Sequence, residues 1–188
     1  HASYRRQRQM CIRDSTYADS VRFTNSLFYN AGREGIRLKD SDNTVGYFEL
    51  SNSTMTDTFH EGVYVQGNDV TFRVDRCTFN NLGYGSTDMV RPRFILDAKI
   101  TNSIFSFVPE PQARVMLIYG ASKIDHCSFY EVGDLKVHDS GAFMLGENVL
   151  FDADPQYIDR DDRNFTLSDS SPLLTYADDG GPIGDPNW

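Results

Sequence analysis

Residues that build helices are scarce in this sequence. Glu and Lys together number 10 of 188 residues and Ala and Leu another 21, while Asn, Ser, Thr and Gly total 53. Asp, Asn, Ser and Gly compete with helical hydrogen bonding and favour turns, whereas Thr, Phe (13) and Tyr (10) favour strands. The balance argues against a helical bundle, a coiled coil and a doubly wound α/β fold. Cysteine is rare too: Cys11, Cys77 and Cys127 do not make a disulfide framework. No window comes near the roughly 18 consecutive apolar residues of a membrane helix, so no membrane span is expected. Hydrophobic (39%) and aromatic (13%) residues remain frequent enough to argue against wholesale disorder. A chain of this length favours one domain.

Positive charge is sparse beyond the N-terminus. Acids and bases number 27 and 18, a formal net charge of −9. Residues 5–13 carry four Arg and no acid, so residues 14–188 hold all 27 acids against 14 bases. Nucleic acid is therefore not an expected partner. The basic run matches nothing downstream. It is expected to be a non-native or disordered tail over residues 1–15, the alternative being an arm that grips an anion. No signal peptide is visible and the chain opens at His1, so the sequence is expected to be the C-terminal part of a longer one.

What is present is a repeat. Asn25-Ser26-Leu27-Phe28, Asn52-Ser53-Thr54-Met55, Arg76-Cys77-Thr78-Phe79, Asn102-Ser103-Ile104-Phe105 and His126-Cys127-Ser128-Phe129 share one template, at spacings of 27, 24, 26 and 24 residues. It reads polar, then Ser or Cys, then any residue, then a large apolar residue, and Asn148-Val149-Leu150-Phe151 extends it loosely. Each copy follows a short alternating strand such as Phe48/Leu50 or Phe72/Val74. Each precedes a turn and a second strand, such as Gly35-Ile36-Arg37-Leu38, Gly62-Val63-Tyr64-Val65 or Arg93-Phe94-Ile95-Leu96.

A helix-free unit of this size is one coil of a parallel β-solenoid. Stacked coils place equivalent residues over each other about every 4.8 Å. Phe28, Met55, Phe79, Phe105 and Phe129 then form an internal stack, Ser and Cys a second, and Asn25, Asn52 and Asn102 a corner. An antiparallel sandwich also has many short strands but gives no reason for the template to recur. The expectation is an all-β solenoid of about five to six coils over residues 16–151, closed by an irregular C-terminal cap over residues 152–188. Cys77 and Cys127 fall two coils apart, about 9–10 Å, beyond the roughly 7 Å between Cα atoms that a disulfide tolerates. Both should be free, buried thiols.

The tail of the sequence carries a resemblance. The Asn-Ser-x-Phe coils lead into Asp152-Ala153-Asp154-Pro155-Gln156-Tyr157-Ile158-Asp159, then Asn164-Phe165-Thr166-Leu167-Ser168-Asp169-Ser170-Ser171-Pro172, and end in Gly184-Asp185-Pro186-Asn187-Trp188. Together these resemble the right-handed, single-stranded parallel β-helix of the pectate-lyase-like superfamily. They look nearest to bacterial cell-surface β-helix proteins linked to polysaccharide use, near lyases of the chondroitinase-B and alginate-lyase type. The resemblance implies a secreted or cell-surface protein whose partner is a polysaccharide.

In such a helix the functional surface is the outer face of one sheet. If Ile36 and Leu38 point inward, Arg37 and Lys39 point out, followed by Tyr64 and Gln66, and then by Arg93 and Asp97. Cations neutralise uronate carboxylates, and an aromatic ring offers a flat face to a sugar. Cleavage by β-elimination needs a cation on the carboxylate, a base and an acid. Lys39 and Arg37 are the catalytic candidates; Tyr64, Gln66, Arg93, Asp97 and His60 are the substrate-binding ones. The lyases resembled take a Lys and an Arg from neighbouring coils, and no Arg lies near Val63-Tyr64-Val65-Gln66-Gly67, which counts against an intact lyase site. Arg37-Leu38-Lys39 also looks like the Arg-x-Lys of polygalacturonases, but their Gly-His-Gly is missing.

His126 replaces a corner Asn and is expected to hydrogen-bond there. His138 has no partner cluster, so no metal site is expected. Residues 131–188 carry 13 acids and 3 bases. No cofactor is expected, with calcium as an option for that acidic segment: its Asp residues offer oxygen ligands but not at EF-hand spacing, and Asp beside Pro and Gly is ordinary turn chemistry. Three functions stay open: a β-helix that binds or presents acidic polysaccharide, a uronate lyase, and an adhesin or tailspike-like structural solenoid.

Overall fold

The computed structural model describes residues 18–39, 45–83, 88–108, 114–116, 121–132 and 143–188. The N-terminal tail, residues 40–43 after Lys39, and His138 lie outside them. The described strands form a solenoid of three parallel sides. The first sheet stacks Ala18–Thr24, residues 45–51, 70–75 and 95–101, Ala121–Asp125 and Phe143–Leu145. The second stacks Leu27–Tyr29, residues 53–58 and 77–82, Ile104–Ser106, Cys127–Tyr130 and Val149–Phe151. The third stacks Ile36–Lys39, residues 63–66 and 88–93, and Arg114–Met116. Four turns carry all three sides, fewer than the five to six coils expected from the spacing. The first and second sheets add two more rungs, for which no third side lies within the described residues.

The corner between first and second sheets explains the polar residue that opens each template copy. Asn25, Asn52, Arg76, Asn102 and His126 all have φ between 47° and 51°. That left-handed conformation suits Asn, whose short side chain tolerates it best after Gly. A second left-handed series, Asn30, Asp57, Asn81, Phe107, Glu131 and Asp152, makes the next corner.

Alternation then fills the interior. Phe79, Phe105 and Phe129 are buried, with ring centroids 4.8 and 5.1 Å apart. Phe48 and Phe72 stack at 5.1 Å beside them. These separations match the strand spacing, so equal rings on consecutive coils stack face to face without strain. The Ser/Cys file works by hydrogen bonds. Ser53 Oγ accepts the Ser26 N–H (3.1 Å) and donates to the Ser51 carbonyl (2.7 Å); Ser103 does the same for Cys77 and Thr101. Cys77 and Cys127 are buried and unpaired in that file, as the coil spacing requires.

Residues 152–188 close a side of the solenoid. They cross the outer face of the second sheet from the last turn to the first, so the outward-pointing Thr54, Thr78, Ile104 and Ser128 are buried. Leu173, Ala177 and Ile183 pack on Ile104. Arg76 pairs with Asp179 at 2.6 Å. Asp185 accepts from the Thr54 hydroxyl (2.8 Å), its N–H donates to Thr78 (3.0 Å), and Trp188 Nε1 donates to Thr54 (2.7 Å). Gly184 has φ +89°, and a Cβ there would sit 2.8 Å from Ile104 and 2.9 Å from Thr78, so only glycine lets the strap come this close. These contacts give the Gly184-Asp185-Pro186-Asn187-Trp188 ending its structural role.

Candidate functional site: the outer face of the third sheet

Two glycines set the approach to this face. The Gly35 N–H donates to the Glu61 carbonyl and the Gly62 N–H to that of Met89, at 3.0 and 2.8 Å. Beyond them Ile36, Val63, Val65, Val90 and Met116 turn inward and are buried. Their alternates face out. The parallel register aligns Arg37 with Tyr64 and Arg91 in one row, and Lys39 with Gln66 and Arg93 in the next.

Tyr64 is the centre of the first row. The guanidinium carbons of Arg37 and Arg91 lie 5.6 and 5.3 Å from its ring centroid, one from each neighbouring coil. Tyr64 as a whole is only 6% exposed, so its ring is a spacer between two cations instead of an open aromatic shelf. Its hydroxyl donates to Gln66 Oε1 in the second row.

Carboxylates hold both arginines from below. Arg37 Nη1 meets Glu34 at 2.6 Å, and Arg91 meets Glu61 at 3.0 Å and Asp88 at 3.8 Å. Glu61 and Asp88 side chains are 7% and 0% exposed, so their charges act in a poorly hydrated setting where attraction is strong. Burial works against the Arg91 charge, but the Glu61 hydrogen bond and the Asp88 and Glu61 charges outweigh it, and its pKa moves up. Lys39 is exposed and makes no ion pair with the described residues. Among the described residues this face thus carries Arg37, Lys39, Arg91 and Arg93 with Glu34, Glu61 and Asp88. A guanidinium held charged can bind a carboxylate through two N–H groups but cannot take up a proton, so the geometry suits anion binding better than general-base chemistry.

Arg37, Lys39, Tyr64, Gln66 and Arg93 therefore come together in two adjacent rows. Asp97 does not join them. It lies on the first sheet beside Thr71 and pairs with Arg73. Alternation counted on from Arg93 fails because the chain turns a corner in between, where the register shifts and Ile95 points inward at 4% exposure. His60 lies ahead of the third sheet with its ring edge-on to Phe59 at 5.1 Å. Its carbonyl accepts from the Thr58 hydroxyl at 2.8 Å, and neither contact reaches Tyr64. His126 occupies the first corner, its N–H donating to Asp125.

Sequence reasoning missed Arg91 and Asp88, and with them the pairing of Glu61 to Arg91. Pro92 hid the strand that carries Arg91, because proline donates no ladder hydrogen bond and is rare inside strands. Here Pro92 stands in register with Val65 of the preceding coil, and the strand runs on through it. Of the acidic C-terminal residues, Asp154 and Asp159 accept from backbone N–H groups two and three residues on, which is turn chemistry. Among the described residues no three His, Cys, Asp or Glu side chains are grouped to hold a metal ion, and no helix is long and apolar enough to cross a membrane.

No curated protein matches the chain as a relative. The family model described as a right handed beta helix region matches residues 11–154, spanning the described turns of the solenoid and its first left-handed corner. With three parallel sides and internal files of stacked rings and of Ser and Cys, the chain belongs to the right-handed β-helix family.

Proposed function

We propose that this β-helix binds or presents an acidic, uronate-containing polysaccharide at the cell surface or in a secreted state. The Arg37–Tyr64–Arg91 row with Lys39, Gln66 and Arg93 beside it carries the reading. Its groups repeat at the strand spacing of about 4.8 Å, close to one sugar residue of an extended polymer. The guanidinium groups are pre-oriented by Glu34, Glu61, Asp88 and the Tyr64 ring, which lowers the entropy lost on binding. The resemblance to pectate-lyase-like β-helices supports the substrate class.

With a formal net charge of −9, long-range attraction does not draw in a polyanion. Contact is short-range and moderately salt-sensitive. Calorimetry with uronate oligomers tests it. Arg37→Ala with Lys39→Ala should weaken binding by at least about tenfold, as expected for two lost charge-assisted hydrogen bonds. Full affinity in that double variant sinks the assignment. Ultraviolet absorbance of an unsaturated product, abolished in the same variant, would replace binding with β-elimination.

A further inference from the structure

A cleft of about 380 Å³ opens between the second left-handed corner and the antiparallel hairpin of Tyr157–Asp159 and Asn164–Leu167, lined by Asp57, Asn80, Asn81, Arg160, Asp161 and Arg163. Every described lining side chain is polar. Among them two guanidinium groups face two carboxylates, a balanced set unlike that of the third-sheet face. Its walls are held in place. Arg163 Nε donates to Asp57 at 2.9 Å and its Nη2 to Asn30 at 3.4 Å, while Asn81 Nδ2 donates to the other Asp57 oxygen at 2.7 Å. The Arg160 guanidinium lies 3.9 Å from the Phe107 ring centroid. Asn80 is 3% exposed, its amide set between Thr56 and Ser106.

We propose that this cleft binds one neutral sugar ring through its hydroxyl groups. A hydroxyl donates and accepts, and the lining offers carboxylates that accept beside guanidinium and amide groups that donate. An anion would meet Asp57 and Asp161, and an apolar ligand would find no apolar side chain among the described lining residues. The volume falls near the small end of ligand sites. Side chains already fixed by Asp57, Asn30 and Phe107 lose little freedom on binding. The proposal rests on the saccharide reading above but uses none of its residues: the third sheet would take charged units of a polymer, and this cleft a neutral unit.

Saturation-transfer NMR and calorimetry on the full chain, with methyl glycosides of glucose, galactose, mannose and N-acetylglucosamine, test it. At least one glycoside should bind with a Kd on the order of 1 mM. Asn81→Gly with Asp161→Ala should weaken that binding at least about tenfold; glycine keeps the left-handed backbone at position 81. A melting temperature lowered in that pair moves the test to Arg160→Ala, at the half-exposed rim, with the same loss expected. Arg37→Ala with Lys39→Ala should leave glycoside binding unchanged while removing uronate binding. No binding by the wild-type chain, or binding unchanged in the cleft variants, overturns the proposal. Loss of uronate binding alone bears only on the third sheet.

Discussion

Phe105→Ala removes the middle of the longest ring file. Phe105 is 0% exposed and lies 4.8 Å from Phe79, with ring planes 2° apart, and 5.1 Å from Phe129, at 11°. Truncating a buried Phe costs about 3–5 kcal/mol. Two stacked contacts at about 0.5–1.5 kcal/mol each place this site at the upper end. Phe151 is the internal control. It ends the same file with one stacked neighbour, Phe129 at 5.6 Å, and is 52% exposed. Half the burial and one contact give about 1–2 kcal/mol for Phe151→Ala. Urea unfolding followed by far-ultraviolet circular dichroism measures both, provided the slope is unchanged. A loss at Phe105 no larger than at Phe151, or below about 1 kcal/mol, would show that the rings are not an internal file.

Burial pushes the Cys127 thiol up to about 12 and the Cys77 thiol well above its usual value. Both should be inert to a thiol reagent in the native protein and reactive in denaturant; native reactivity would contradict their burial. Cys77→Ser should be tolerated, since Ser53 and Ser103 flank it in the file, whereas Cys77→Val removes the donor to the Leu50 and Asp75 carbonyls and should lower the urea midpoint. At the strap, the Arg76 hydrogen bond and then the Gly181 N–H hold Asp179 below the usual carboxylate range. A lowered folded-state pKa gives stability that is present above the unfolded value, near 3.8, and lost as pH falls through the folded one. Trp188 fluorescence should therefore report strap release on acidification below about pH 4, and Asp179→Asn should remove that acid limb. An identical limb in the variant would place the titration elsewhere. Asp185, raised by burial, acts with the opposite sign and stabilises the docked strap more when protonated.

The coils were legible because one template position meets one physical demand on every turn. Asn, Arg or His at the first corner, Ser or Cys next, and a ring two residues on each answer to backbone handedness, a small donor site and the strand spacing. The second corner was not legible. Its left-handed residues include Phe107 and Glu131, whose types do not announce that conformation. Likewise Arg37, Tyr64 and Lys39 followed from alternation within single strands, whereas Arg91 and Asp97 depended on where a strand began or a corner fell. The docking of residues 152–188 was hidden because Thr54, Thr78 and Ser128 look like ordinary solvent-facing strand residues. Only the partner segment makes their hydroxyl groups interior.

That docking changes how the chain folds as well as what it buries. A bare stack of coils is a row of nearest-neighbour contacts, in which either end can fray without the other sensing it. Asn187 Nδ2 reaches Asn25 at 3.4 Å, across 162 residues of sequence, and the Asn52 carbonyl at 3.0 Å. Such a link ties the last segment to the first turn and turns a row into a loop, closed only after the intervening coils have formed. Loop closure over this separation is slow relative to local pairing. The lone tryptophan at the end of the strap should thus register the final event of folding, lagging the rise of strand signal, and opening of the strap should precede fraying of the coils beneath it.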